Sequence, residues 1–163
     1  MKTSNLFFAF VLFASLQSMA EEFAAKVTKV IDGNTVELLS AENEVYKIVL
    51  VGIDCPELEQ NHGMKAKKYL EKLLLDRNVL VKIHGKDRWG NRLGEIIVDG
   101  EEDPRHLLLK EGLAWTSEKN PHPQLEAVKE AAREKKKGLW EEENPTPPWT
   151  FRRQQTALQP KSS

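Results

Sequence analysis

Two polar side chains separated by one glycine interrupt an apolar stretch, VIDGNTVEL, at residues 30–38. Asp32 and Asn34 flank Gly33, and the surrounding Val, Ile, Thr and Leu residues predict two strands joined by a tight turn. Two interpretations of this turn are open. In a simple hairpin, Gly33 and Asn34 supply the positive φ angles that a tight turn needs. In a metal-binding turn, Asp32 and Asn34 offer oxygen ligands, and Asn34 stands where a second carboxylate is expected.

Two further stretches combine turn-forming residues with charged groups. The first, GIDCPELEQNHG at residues 52–63, carries Asp54 and Glu57 in a loop rich in glycine, proline and acidic residues. The second, GKDRWGNR at residues 85–92, is a turn with two arginines and a tryptophan. The chemistry of these groups depends on the elements that hold them in place.

Apolar alternation predicts five strands that position these groups. The strands are residues 23–31, 35–39, 45–51, 79–84 and 93–98. Between the third and fourth strands, residues 64–75 repeat apolar side chains at helical spacing, which predicts an amphipathic helix. Leu70, Leu73 and Leu74 form its expected core-facing side.

Two more helices are predicted after the last strand. A short one begins at Asp103-Pro104 and ends at Gly112, because Asp is a favoured N-cap and Pro suits the first helical position. A longer one runs from Pro123 to Gly138. Five strands with a helix between the third and fourth fit a closed barrel of the OB type. The expected fold class is therefore α+β, an OB-fold five-stranded barrel with three helices.

Residues 1–20 predict a secretory signal peptide that is cleaved after Ala20. The segment has a basic start, an apolar run shorter than the roughly 18 residues of a membrane span, and small residues at its end. We therefore expect an exported protein, periplasmic or secreted, with no membrane attachment after cleavage. The domain is expected to cover residues 21–142.

Residues 143–163 differ in composition from the predicted domain, with clustered prolines and polar residues and no apolar period. This pattern predicts an extended, partly disordered Pro-rich tail. We expect Trp149 and Phe151 to pack back onto the domain, with Arg152 and Arg153 in solvent.

The composition excludes a strongly basic nucleic-acid-binding protein. The 163 residues carry 24 Lys and Arg against 25 Asp and Glu, a net charge of −1. Any phosphate binding must therefore come from a local patch. The single cysteine excludes an internal disulfide, and we expect a monomer.

Three stretches together resemble the thermonuclease, or staphylococcal-nuclease-like, family. They are VIDGNTVEL at 30–38, VLVGIDCPE at 49–57 and KDRWGNRLGEI at 86–96, in the predicted strand order. GLAW at 112–115 and GLW at 138–140 add to the resemblance, which spans nearly the whole predicted domain. The resemblance implies an OB barrel that hydrolyses phosphodiesters with a bound calcium ion.

The resemblance also assigns expected roles to the polar residues. Asp32, Asn34, Asp54 and the backbone carbonyl of Cys55 fall at the calcium-binding positions, and Glu57 falls at the position of the base that activates water. Calcium takes oxygen ligands, and its affinity rises with the number of carboxylates. Asn34 replaces a family carboxylate, so we expect millimolar or weaker calcium binding, by analogy with low-charge calcium sites of about 10⁻⁴–10⁻³ M.

Both phosphate-clamping arginines implied by the resemblance are missing from this sequence. Val49 and Asn91 occupy their two positions. Arginine binds phosphate through two parallel hydrogen bonds, which neither replacement can supply. Lys47, Arg88 and Arg92 are the nearby candidates for phosphate contacts, although lysine is a point charge and a poor substitute for the arginine fork.

The pattern therefore predicts an exported thermonuclease-like protein with a degenerate catalytic site. It would bind nucleic acid or another partner weakly, with little or no phosphodiesterase activity. The alternative is an active calcium-dependent endonuclease of DNA or RNA that uses Lys47 or Arg92 in place of the missing arginines. A third interpretation is an interaction module whose barrel binds no ligand.

Overall fold

The computed structural model describes residues 21–100 and 102–158. The predicted signal peptide, residues 1–20, lies outside the described residues. Within the described ranges, the helices are too short or too polar to cross a lipid bilayer.

Five strands close into a barrel in the order β1-β2-β3-β6-β5. They are β1 (Glu21–Val30), β2 (Thr35–Ser40), β3 (Val45–Leu50), β5 (Asn78–Lys86) and β6 (Arg92–Ile97). Neighbouring strands are antiparallel, except that β3 and β6 run parallel. The predicted α+β class and five-stranded OB barrel are confirmed, and each strand ends within two residues of its predicted limit.

Two short strands form a separate antiparallel pair beside the barrel. They are β4 (Ile53–Asp54) and β7 (Trp115–Thr116), and Asp54 lies opposite Trp115. A two-residue strand has too little periodicity to be read from a sequence, and neither was predicted. The pair fixes the loop after β3 to the helical half of the chain.

The described residues contain four α-helices and one 3₁₀ helix, whereas three helices were predicted. They are α1 (Gly63–Leu74), α2 (Pro104–Lys110), α3 (Pro123–Glu134), the 3₁₀ helix Gly138–Glu141 and α4 (Pro148–Leu158). The α2 helix has the predicted N-cap, because the Asp103 carboxylate accepts a hydrogen bond from the N–H of Arg105. The α3 helix ends four residues before its predicted limit, because Lys136 adopts a left-handed conformation with φ of 50°.

The α1 helix packs its predicted face into the core. Leu70 and Leu74 are completely buried, and Leu73 is partly buried against the same cluster. The barrel strands contribute alternate buried residues to the same core, as β3 does with Tyr46, Ile48 and Leu50. The predicted orientation of α1 is therefore correct.

The C-terminal segment contains α4, where no helix was predicted. Pro148 is the first residue of this helix, a position at which proline's missing N–H costs nothing. The clustered prolines thus precede and begin a helix, although they suggested an extended chain. Trp149 packs on the domain as predicted, with its ring centroid 5.6 Å from that of Trp115, and Phe151 is half-buried.

Leu70→Ala is expected to lower the free energy of unfolding by about 2–5 kcal/mol, because it removes a fully buried side chain and leaves a cavity. Leu158→Ala is the matched control, since Leu158 is 78% exposed and its truncation should change stability little. Urea unfolding of both variants measures the difference. Equal stabilities for the two variants would contradict the packing of α1.

Candidate active site

The turn between β1 and β2 lies directly against the loop that follows β3. The Oδ1 atom of Asn34 accepts a hydrogen bond of 3.1 Å from the backbone N–H of Cys55. The backbone carbonyl of Asn34 accepts another, of 2.8 Å, from the N–H of Leu50. Asp32 closes the turn, because its Oδ1 accepts a 2.9 Å hydrogen bond from the N–H of Asn34. Asn34 therefore joins the turn to the loop that carries Asp54.

Gly33 is required by close contact, and the predicted positive φ angles are wrong. Neither Gly33 nor Asn34 has a positive φ. A Cβ atom on Gly33 would lie 2.5 Å from the Cβ of Cys55 and 2.9 Å from the Cβ of Ala66. Any side chain at this position would push the loop and the α1 helix away, so glycine is needed here for its small size.

An aromatic cluster holds the helical half of the chain beside Asp54. Trp115, the β7 partner of Asp54, makes edge contacts with Trp140 at 4.6 Å and with Trp149 at 5.6 Å between ring centroids. Such tilted aromatic pairs are favourable beyond the area they bury. The cluster thereby fixes the first turn of α4 next to the loop.

Arg152, one helical turn after Trp149, forms ion pairs with both acidic residues of the loop. Its Nη2 donates to Oδ2 of Asp54 at 2.7 Å, and its Nη1 donates to Oδ1 of Asp54 at 3.1 Å. The same Nη1 donates to Oε1 of Glu57 at 2.7 Å. Arg152 is exposed, as predicted, but its pairing with the two loop carboxylates was not predicted. Arg153 is more exposed than Arg152 and makes a longer contact of 3.4 Å to Glu118.

Charge and burial oppose each other at this cluster. Burial raises the pKa of Asp54, and the hydrogen bonds from Arg152 offset only part of that effect. The hydrogen bonds of Arg152 to Asp54 raise the pKa of its guanidinium, and its hydrogen bond to Glu57 adds to this. Partial burial of Arg152 acts in the opposite direction but does not cancel the increase. Burial also raises the pKa of the Cys55 thiol, and the neighbouring carboxylates add to this. The thiol is therefore neutral and unsuited to act as a nucleophile.

The loop is also clamped to the segment that precedes α4. The side-chain carbonyl of Gln60 accepts a hydrogen bond of 2.9 Å from the N–H of Glu57, and its amide donates at 2.9 Å to the carbonyl of Thr146. Asn61 donates at 2.8 Å to Glu142. These bonds fix the backbone of Glu57 relative to α4, independently of Arg152.

Val49 and Lys47 lie on the outer face of β3. The alternate residues of this strand point into the core, so Lys47 and Val49 share the other face, as predicted from the alternation. Val49 lies opposite Thr35 on β2 and Leu93 on β6, and it is partly exposed. Its apolar side chain offers no hydrogen bond to an anion.

Asn91 closes the turn between β5 and β6. Its side-chain amide donates to Oδ2 of Asp87 at 2.8 Å, and its backbone N–H donates to Oδ1 at 2.9 Å. The N–H of Trp89 donates to the same Oδ1 at 2.9 Å. These hydrogen bonds outweigh the effect of burial and lower the pKa of Asp87. Asn91 thus supports the turn and has its side chain engaged within it.

The same turn presents cations and aromatic rings together. The guanidinium of Arg88 lies 4.0 Å from the ring centroid of Trp89, which is 70% exposed. The guanidinium of Arg92 lies 4.4 Å from the ring of Tyr46 on β3. We call Arg88, Trp89 and Arg92 the aromatic–basic turn. Cations over aromatic faces are stabilised by the ring quadrupole, which holds these side chains in place.

A family model described as "Staphylococcal nuclease homologue" matches residues 47–142, more than half of the chain. The chain belongs to this family. Three relatives extend the match. An "Uncharacterized endonuclease" of Escherichia coli O157:H7 is 31% identical over 135 residues, which is 82% of this chain and 88% of that protein.

The other two relatives cover similar lengths. An "Uncharacterized endonuclease" of Haemophilus influenzae is 34% identical over 136 residues, 83% of this chain and 76% of that protein. A "Micrococcal nuclease" of Shigella flexneri is 29% identical over 156 residues, 89% of this chain and 88% of that protein. Both matches are to nuclease-like proteins of nearly the same size, so the nuclease-like assignment of the chain applies to most of its length.

The calcium ion implied by the staphylococcal nuclease homologue family does not fit the donors as they are arranged. Both carboxylate oxygens of Asp54 and one of Glu57 accept hydrogen bonds from Arg152. The side-chain oxygen of Asn34 accepts the Cys55 N–H. In residues 21–100 and 102–158, no three His, Cys, Asp or Glu side chains are grouped to hold a metal. Oxygen atoms of Asp54, Glu57 and Asn34 are thus already engaged by donors of the chain itself.

Arg152 is the residue of this site that sequence reasoning missed. A weak signal was present, because Trp149 and Arg152 are spaced for one face of a helix that begins at Pro148. Nothing local indicated its partners, since Asp54 precedes it by 98 residues. The contact follows from the tertiary packing of the tryptophan cluster.

Gly33→Ala is expected to force Cys55 out of its position, because the new Cβ would clash with the Cβ of Cys55. Cys55 is the one cysteine of the chain and only 3% exposed, so reaction with a thiol reagent measures the displacement. The variant should react with the reagent faster than wild type does. Its free energy of unfolding should be lower by about 1–3 kcal/mol.

Gly100→Ala is the control for this substitution. Its Cβ would meet nothing within 4 Å, and its φ of 68° causes only local strain. Its thiol reactivity should equal that of wild type. A Gly33→Ala protein with an equally protected thiol would contradict the close contact between turn and loop.

Proposed function

We propose that this protein binds nucleic acid weakly through the surface of its OB barrel and has little or no phosphodiesterase activity. The observation that carries the proposal is the engagement of Asp54 and Glu57 by Arg152. A base that activates water must be free to accept a proton, and Glu57 is held by a guanidinium.

The two family arginine positions support the same conclusion. Val49 is apolar and Asn91 is bonded to Asp87, so neither offers a cation to a phosphate. Loss of one preorganised donor from a transition state lowers the rate by on the order of 10²–10³. Two such losses do not multiply cleanly, but together they leave little catalysis.

The aromatic–basic turn supports binding. Sequence-tolerant nucleic-acid sites combine cations, which track phosphates, with exposed aromatic faces, on which bases stack. Arg88, Trp89 and Arg92 provide both, and Lys47 adds an exposed cation on β3. The net charge of −1 gives no long-range attraction, so the proposed affinity is weak and strongly salt-dependent.

A second candidate is a calcium-dependent endonuclease, in which Lys47 or Arg92 replaces the missing arginines. The specific observation in its favour is that Asp54 and Glu57 lie within reach of one guanidinium, as a metal ligand and a base would need to be. The relatives named as endonucleases also favour it. In this case Asp32, Asn34 and the Cys55 carbonyl would complete a weak calcium site after rearrangement.

The cellular setting is a further part of the proposal. The pattern of residues 1–20 supports export by a cleavable signal peptide to the periplasm or the medium, with no membrane attachment afterwards. We propose that the exported chain acts as a monomer.

Binding to fluorescein-labelled single-stranded DNA, followed by anisotropy at low and high salt, tests the first candidate. Trp89→Ala should weaken binding by about 5- to 150-fold, which corresponds to the loss of one stacked base. Arg133→Ala, at an exposed arginine of α3, is the control and should bind like wild type. Equal binding by the Trp89 and Arg133 variants would contradict the proposed surface.

Cleavage of the same DNA with calcium, and with chelator, distinguishes the two candidates. The first predicts no calcium-dependent cleavage above background. Calcium-dependent cleavage by wild type that is lost in both Glu57→Gln and Asp54→Asn would establish the second. Cleavage that survives both substitutions would show that a different site is responsible.

A further inference from the structure

The contacts of Arg152 resemble those of a bound cation. One guanidinium reaches both oxygens of Asp54 and one oxygen of Glu57, with the shortest contacts at 2.7 Å. Two carboxylates that converge on one point repel each other, and a single positive charge between them relieves the repulsion. In its relatives' family that charge is expected from calcium, whereas here a side chain supplies it.

The position of Arg152 is enforced by two contacts that do not involve its own side chain. Trp149 packs against Trp115, the strand partner of Asp54. Gln60 bonds to Thr146, two residues before α4. Because these contacts involve neither Asp54 nor Glu57 side chains, the helix is placed at the loop for reasons other than the ion pair. The packing of α4 therefore positions the guanidinium at the site.

Arg152 in this position is a poor phosphate ligand. Both of its Nη groups donate to carboxylates, and the group of Asp54, Glu57 and Arg152 carries a net charge of −1. An approaching phosphate would meet two nearby carboxylates. The arrangement therefore suits a counter-cation for the loop rather than a clamp for substrate.

We propose that Arg152 is the resident cation of this site, and that docking of α4 and binding of a divalent cation between Asp54 and Glu57 exclude each other. The exclusion is both steric and electrostatic, since the guanidinium uses the same oxygen atoms that a hard cation would need. The coupling is reciprocal, so a divalent cation that enters the site also weakens the attachment of α4. The inference concerns cation binding and holds whether or not the chain cleaves nucleic acid.

Calcium titration of the purified full chain by calorimetry tests the inference. Arg152→Gln removes the charge and the fork while keeping an uncharged polar side chain on α4. It should bind calcium at least about tenfold more tightly than wild type, because two carboxylates are released as ligands. Arg152→Lys should lie between the two, since an ammonium cannot form the three contacts at once.

Arg153→Gln is the matched control, with the same change in charge on the next residue of α4. Its calcium affinity should stay within about twofold of wild type, because its screened contact is with Glu118. Thermal unfolding with and without calcium gives a second readout if Arg152→Gln is unstable. Calcium should then raise the melting temperature of Arg152→Gln more than that of wild type.

Three results would overturn the inference. Wild type could bind calcium as tightly as Arg152→Gln, or Arg153→Gln could tighten binding equally. In a third case, neither wild type nor Arg152→Gln would bind calcium or gain stability from it. The first result would show that calcium displaces Arg152 from the carboxylates without a measurable cost. The second would show that calcium affinity depends only on net charge. The third would show that Arg152 is not the group that excludes the ion. None of these results depends on nuclease activity.

Discussion

The contact between the β1–β2 turn and the loop after β3 determines where the first acidic residue of that loop, Asp54, lies. Gly33 touches Cys55 and Ala66, so the turn, the loop and α1 meet at one point without room for a side chain. The hydrogen bond from the N–H of Cys55 to Asn34 orients the loop relative to the turn. Protein interiors are packed too densely to absorb an extra methyl group here, so the constraint is strict. The contact therefore also positions Asp54, which immediately precedes Cys55 in the chain.

Asn34 shows that this position of the turn needs an oxygen acceptor and not a charge. A carboxylate and an amide both present an oxygen that can accept a backbone N–H, and Asn34 uses its oxygen to hold Cys55. The geometry of the turn therefore does not require an aspartate. An amide here also adds no negative charge beside the loop. One guanidinium, that of Arg152, pairs with both Asp54 and Glu57.

Much of the fold followed from the sequence because its signals are local. Alternation of apolar residues predicted the five strands, and helical spacing predicted the buried face of α1, since both depend only on near neighbours. Gly33 was misinterpreted because a turn glycine and a close-contact glycine have the same sequence signal. The difference lies in Cys55, 22 residues away in the chain, which only the folded structure brings near.

The sequence predicted which loop residues belong to the site, but it did not predict which groups they contact. Asp54 and Glu57 were identified through the family resemblance, which specifies residues at fixed spacing. Arg152 belongs to no such stretch, and its contact depends on three tryptophans that pack together from distant segments. The proline cluster also concealed α4, because proline indicates either an extended chain or the start of a helix. Only tertiary packing decides between these outcomes.

The distance of Arg152 from its partners along the chain has a consequence for the time course of biosynthesis. Glu57 precedes Arg152 by 95 residues. At a synthesis rate of about 5–20 residues per second, the ribosome needs roughly 5–19 seconds to pass from one to the other. The last barrel strand, β6, ends at Ile97, so in the final part of that interval every barrel strand has been synthesised while Arg152 has not. Any folding of the barrel that occurs during synthesis therefore takes place before the chain contains the cation that pairs with its acidic loop.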